Sequence, residues 1–535
     1  MKSLWVLVTV LACFAFLPGA AALDREAFTV THYDLDVRLE PAQQRLGVRG
    51  RITLCNDSAQ PQHLAALQIS SSLSWRSIRA VSDSKSTPQS SSRANSSRAD
   101  SPDAGQPLQF VSQPYTSDID HTGELSEAIV TLPRELAPKE SIDLAIGYEG
   151  VIVLDATRLT RIGTPETVAR HSDWDQIGKA FTTVRGVGYV TWYPMAMEAQ
   201  SLADGSAMFA ALGKWKARHA ASSMDLRVAL VSDGADEPTT LLVNAKGCAI
   251  TEEAMGVNET LLSDCKYDAL GFANPTLVAG NLKESVAGPV RLHYLAEHAS
   301  AAEEFTKTVE RAAYLVKDWF GAPRETLDVV DLADPGAAPF EAGNWLLLPL
   351  AKSDPQMEYT LVVHQLTHAA LPSPRLWIYE GAAHFAQAIA REKDGREAAL
   401  DFLSPHRAAV AQAETQAGGA GEALVTASAE VLYRSKAALV WWMLRDMVGD
   451  AALKRALHAY QASEDKDSAY FQRLLEAESK RDLGSFFHDW VYTDPGLPDF
   501  RIESANARLT TSRNFVTAVT VANTGSAGAE VPVTI

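Results

Sequence analysis

The sequence predicts a multidomain α+β chain: an N-terminal antiparallel β-domain, a mainly helical domain, and the start of a C-terminal β-sandwich. Three observations carry this. From Phe28 to about Leu282 apolar residues recur at every second position, the period of a half-buried strand. From about Ala301 to Asp494 they recur at helical spacing, and beyond YTDPGLPDF the alternation returns. With 535 residues, 46% of them hydrophobic, the chain can bury several cores, which suits about three domains.

The elements follow in chain order. The first 22 residues hold one lysine, an apolar run from Leu4 to Leu17 and the small residues Ala20-Ala21-Ala22. That run is too short to span a bilayer stably and has the order of a cleaved export signal, so the mature chain is expected to begin near Leu23 outside the cytoplasm, periplasmic or extracellular. No later segment is long and apolar enough for a membrane span. HYDLDVRLEP sets Tyr33, Leu35, Val37 and Leu39 on one face, and VRGRITLCND repeats the pattern. Within this β-domain, expected over residues 23–297, the Ser-rich stretch at 82–106 has too few apolar residues to repay ordering and reads as a mobile insertion. Cys55, Cys248 and Cys265 remain after the leader; Cys248 and Cys265 can close a short loop in an oxidising compartment, or all three can be small buried hydrophobes.

The helical domain is expected over 298–494. AAEEFTKTVERAAYLVKDWFG places Phe305, Val309, Ala312, Ala313, Leu315 and Val316 on one face and stops at Gly321. SKAALVWWMLRDMVGDAALKRALHAY is a second helical block. Residues 495–535 read as a strand, a turn at Asn523 to Gly525 and a second strand cut short at Ile535, too few to close a core alone, as in a truncated product. The formal charge of -18 repels phosphate backbones and argues against nucleic acid as a partner.

Chemistry concentrates in LVVHQLTHAALPSPRLWIYEGAAHF, residues 361–385. His364 and His368 stand four apart in a run of helix formers, so both imidazoles face one side and can reach one ion. Thirteen histidines make a chance pair at this spacing common, so the pair alone is a weak signal. Pro372 and Pro374 end that helix, and a second begins with Glu380 near its start and Gly381 beside it, small enough for close helix packing. A carboxylate there completes three ligands and leaves a fourth position open, the arrangement of catalytic zinc.

HQLTH followed by LWIYEGAAHFAQ resembles the gluzincin zinc peptidases, with their thermolysin-like catalytic domain, and most of all the aminopeptidase N family with its H-E-x-x-H and W-x-x-E-G segments. HYDLDVRL, WYPM at Trp192–Met195 and LYRSKAALVWWM, which resembles the family's Y-E-K-G helix, extend the likeness over most of the mature chain. The resemblance implies one zinc held by His364, His368 and Glu380, a peptide as substrate or ligand, and Tyr433 as the tyrosine that stabilises the tetrahedral intermediate. Three departures stand out. Glu380 follows His368 after twelve positions, a shorter connection than in the typical aminopeptidases. The substrate-binding GAMEN segment is matched only by EAGNWLLLP, so that Gly343 replaces the amine-binding glutamate, Asn344 is kept, and Glu341 lies two residues upstream as a substitute. Gln365 stands where the family has its general base, and an amide cannot take and return a proton, a loss worth about 10²–10⁴ in rate. His384, one turn past Glu380, is either a proton donor or a supporting or surface residue. Two readings stay open: an exported zinc peptidase with an impaired base, and a catalytically inactive zinc-binding relative that binds peptides or a partner protein.

Overall fold

The computed structural model describes residues 23–81, 105–116, 124–187, 190–198, 213–232, 238–255, 258–351, 354–417 and 421–531. The leader and most of the Ser-rich insertion lie outside them. The architecture is mixed α+β, with β-sheets first and a helical region after.

The N-terminal strands form an eight-stranded sheet faced by a three-stranded one made of Gln62–Ser70, Glu124–Leu136 and Phe110–Thr116. The alternation does what it predicts: Tyr33, Leu35, Val37 and Leu39 are buried, and so are Val48, Ile52 and Leu54 from the next strand, in one core. The expected antiparallel character needs a correction. Phe28–Glu40 is antiparallel to Arg45–Asn56 on one side but parallel to Ser223–Ser232 on the other, with Tyr33 opposite Met224. Side-chain alternation is the same for both directions, so periodicity cannot distinguish them. Cys248 and Cys265 form a disulfide across the edge pair of this sheet, and Cys55 is free.

The WYPM segment packs into the core of this sandwich. Trp192 and Tyr193 are fully buried, and Tyr33 and Tyr148 donate to the carbonyls of Pro194 (3.0 Å) and Trp192 (2.7 Å).

A five-stranded sheet comes next, with Val290–Leu295, Leu327–Asp331 and Trp345–Leu348 parallel in its middle and Phe340–Ala342 at one edge. Its residues Val290, Leu292, Val329 and Leu346 share a core with the helices. Helix α1 (Ala299–Phe320) buries Phe305, Val309, Ala312, Leu315 and Val316 and ends where Gly321 takes a positive φ of 90°. Helix α2 (Pro355–Ala370) starts with Pro355 at its first turn and an Asp354 side chain that accepts from the amides of Gln356 (2.9 Å) and Met357 (2.8 Å). Helix α3 (Leu376–Glu392) packs on α2, α4 (Arg396–Ala417) and α5 (Ala437–Val448). The second helical block is broken at Gly449 and enters α5 through a π-helical turn, Val431–Lys436.

The chain bends after Asn523 as expected, with the Gly525 amide donating to Asn523 Oδ1 at 3.0 Å, but the strand before the bend has a different partner from the expected one. Phe515–Asn523 pairs with Phe500–Leu509 through a connection at 510–514, and residues 524–531 are not a strand. Ala527 is instead buried, and Trp490 Nε1 donates to the Gly528 carbonyl at 2.7 Å. Among the described residues no helix is long and apolar enough to cross a membrane.

Candidate metal centre

Helix α2 delivers His364, Gln365 and His368, all buried, and α3 delivers Glu380 and His384 from the opposite side. The close approach of the two histidines follows from their spacing of four on one helix face. Their Nε2 atoms lie 3.0 Å apart. Glu380 reaches both, with Oε2 3.7 Å from His364 Nε2 and Oε1 3.8 Å from His368 Nε2. Gly381, next to Glu380, lets α3 pack closely on α5: a Cβ there would stand 2.5 Å from the Ala437 Cβ of α5.

A second carboxylate joins them. Glu341, on the Phe340–Ala342 edge strand, has Oε2 3.2 Å from His364 Nε2. Glu341, His364 and His368 offer ligand atoms all within 4.8 Å of one another, and so do His364, Glu380 and His384.

These separations test the fit to a metal. Donors bound to zinc at 2.0–2.1 Å in a tetrahedron lie about 3.3–3.4 Å apart. The His364–His368 and His364–Glu341 separations of 3.0 and 3.2 Å lie just below that edge, and two different Glu380 oxygens lie just above it, at 3.7 Å from His364 and 3.8 Å from His368. The imidazole and carboxylate donor set suits zinc, and the two overlapping groups, which share His364, could each offer an ion three donors.

The electrostatics reflect the crowding. Partial burial works against charge on Glu341, but the His364 charge and hydrogen bond outweigh it and hold the carboxyl down at about 2. Burial raises the Glu380 carboxyl, with the neighbouring Glu341 charge acting the same way. His368, stacked on Tyr379 with ring centroids 3.7 Å apart, is pushed down by burial and by the His364 charge.

The remaining expected residues divide. Gln365 is buried, and neither amide atom makes a well-aligned hydrogen bond, yet it lies near enough to Glu341 to help lower that carboxyl. Tyr433 sits on the π-helical turn, where burial and the Glu380 charge raise its phenol. Gly343 is the first of two residues in a tight hairpin between Ala342 and Trp345; its φ of 64° suits a II′ turn. The Asn344 side chain donates to Glu325, away from the histidines. His384 is buried, not on the surface, and its Nε2 accepts from Arg434 Nε at 2.8 Å.

Two residues that the sequence reading missed face the site. Lys216, in the helical residues 213–219, is drawn down by burial while the charges of Glu380 and Glu341 act to raise it. Nothing in its local sequence signals this. Arg434 pairs with Glu430 as well as His384, and it was legible as the arginine that follows Tyr433 where the Y-E-K-G pattern has glutamate.

No family model and no curated protein matches the sequence. Solved structures do. An M1 zinc metallopeptidase from Deinococcus radiodurans aligns with 89% of this chain and 96% of its own, at 17% identity and a TM-score of 0.51. The fold is similar to that of the M1 zinc metallopeptidases. A mutant M1 zinc metallopeptidase from the same organism, bound to a Tyr-Ser-Ala substrate, gives 16% identity and a TM-score of 0.50 over 89% of this chain and 96% of that one. A two-domain M1 zinc metallopeptidase mutant bound to L-tryptophan gives 17% identity and 0.51 over 89% and 97%. At these identities the likeness is one of fold.

Proposed function

We propose that the chain is an exported zinc metallopeptidase of the aminopeptidase N type whose water activation is weakened by Gln365. The observation that carries this reading is the clustering of His364 and His368, with Nε2 atoms 3.0 Å apart, against the Glu380 carboxylate, whose two oxygens lie 3.7 and 3.8 Å from them. The M1 fold supports it, and so does the peptide bound in one of the similar structures.

A bound zinc supplies a Lewis acid that polarises the scissile carbonyl and acidifies water. This chain's residues do the rest. His364, His368 and Glu380 would hold the ion. Tyr433, kept protonated by burial and the Glu380 charge, offers a hydroxyl donor to a developing oxyanion. Gln365 can orient a water molecule by hydrogen bonding but cannot carry its proton.

Purified, chelator-treated protein reconstituted with zinc should bind one ion, and His364→Ala should not retain it. Gln365→Glu should raise peptide hydrolysis by about 10² or more, and Tyr433→Phe in that background should lower it again. N-terminal sequencing of native protein should begin near Leu23. A second reading, a peptide-binding relative without catalysis, draws on Gln365 and on the engagement of Asn344 with Glu325. Zinc-loaded Gln365→Glu that cleaves nothing across a broad peptide library would establish it in place of the first.

A further inference from the structure

We propose that Glu341 is a fourth protein ligand of the metal, so that His364, His368, Glu380 and Glu341 together close the resting centre. This rests on the zinc reading above and specifies how access to that site is controlled.

Position argues first. At 3.2 Å the Glu341–His364 separation is nearer the tetrahedral edge of about 3.3–3.4 Å than are the Glu380 separations of 3.7 and 3.8 Å. The carboxylate is set there by a short strand in register with its neighbour, Glu341 opposite Leu346, and turned by the Gly343 hairpin.

Charge argues next. A divalent ion balanced by Glu380 alone would leave a buried positive centre beside the Arg434 guanidinium, which lies 2.8 Å from His384 Nε2. A second carboxylate neutralises it, which a low-dielectric site strongly favours.

Residue 365 argues last. A glutamate beside Glu341 would oppose it with like charge, whereas the Gln365 amide can donate to it. Glutamine at 365 and a ligating Glu341 are thus mutually compatible, and glutamate at 365 would favour an open centre. Glu341 is also the ligand able to leave, since its side chain is 34% exposed against 3% for each histidine and 19% for Glu380.

The test uses Co²⁺-substituted full chain titrated with azide and followed by its visible absorption. Wild type should resist azide, while Glu341→Ala and Gln365→Glu should both shift at concentrations lower by roughly 10- to 100-fold, at least the scale of losing a ligand's supporting partner. Glu341→Ala should also bind Zn²⁺ more weakly by a similar factor in chelator competition. A wild-type spectrum that shifts as readily as the variants, or unchanged zinc affinity in Glu341→Ala, overturns the proposal and leaves the three-ligand zinc reading standing. If Glu341→Ala does not fold, a wild-type shift already complete at the azide level that saturates Gln365→Glu overturns it equally. Failure of wild type to take up either metal overturns both readings.

Discussion

Gly381→Ala adds a single methyl group at the point where α3 crosses α5, and two effects compete there. Replacing a helical glycine by alanine gains about 1 kcal/mol of helix propensity. The new Cβ, however, would lie 2.5 Å from the Ala437 Cβ and 3.1 Å from Trp441 Cδ1 and Nε1, where ordinary contact begins at 3.4 Å. The shortfall at Ala437 is about 0.9 Å, more than rotamer adjustment can absorb, since neither methyl has a rotamer to change. Trp441 cannot recede either: it stacks on Trp377 at 5.4 Å and donates to the Trp377 carbonyl at 3.1 Å. The helices must part, at an overpacking cost of about 1–3 kcal/mol, so after the propensity gain a net loss of up to about 2 kcal/mol is expected in urea denaturation. Glu380 is the adjoining residue and moves with the backbone, so zinc affinity should fall by roughly tenfold in chelator competition. Ala437→Gly should restore much of both in the double variant, a coupling that a thermodynamic cycle measures. Gly381→Ala more stable than wild type, with unchanged zinc affinity, would refute the claim that this contact positions Glu380.

Other expectations concern parts of the molecule away from the donors. Lys436 and Asp494 form an ion pair at 2.6 Å with side chains 3% and 2% exposed, so Lys436→Met should cost about 3–5 kcal/mol in urea denaturation, and Lys436→Met/Asp494→Leu less than the single variant. His219 is buried against Trp215, and burial pushes its imidazole down to about 4. Its contribution is therefore complete above about pH 6.5 and is lost as pH falls toward 4, on the order of 3 kcal/mol in all; His219→Phe should flatten that part of the stability–pH curve. The Cys248–Cys265 bond closes a separation of 17 residues, so Cys248→Ala/Cys265→Ala should lower stability by about 3 kcal/mol, and a strong reductant should affect only the parent protein.

Local pattern carried the sequence reading furthest where one physical signal acts alone. Alternation marked Phe28–Glu40 and Arg45–Asn56, helical periodicity marked α1, and Pro372 and Pro374 marked the break between the two helices of the metal centre. Non-local relations were hidden. The parallel strand pairing joins segments almost two hundred residues apart, and the buried strands Leu327–Asp331 and Trp345–Leu348 are continuous apolar runs without alternation. The same limit applied at the site. The histidines and Glu380 share one short stretch and could be picked out together, whereas Glu341, which the sequence placed at the substrate amine, is brought beside His364 only by folding, and Lys216 carries no local signal at all. Phe500–Leu509 lacks a clean apolar face, and its pairing with Phe515–Asn523 was missed for that reason.

The parallel contact between Phe28–Glu40 and Ser223–Ser232 also has a temporal side. The first strand sits in the interior of the eight-stranded sheet, and the neighbour that covers its second edge is complete only at Ser232. Ribosomes add about 5–20 residues per second, so that edge stays open for roughly 10–40 s after the first strand emerges. Closing it also requires a long loop to be ordered first, the slow step in sheets built from distant segments. The N-terminal sandwich therefore cannot complete its main sheet hairpin by hairpin as it leaves the ribosome, and during that interval the nascent chain presents an unpaired, apolar strand edge of the kind that holding chaperones cover.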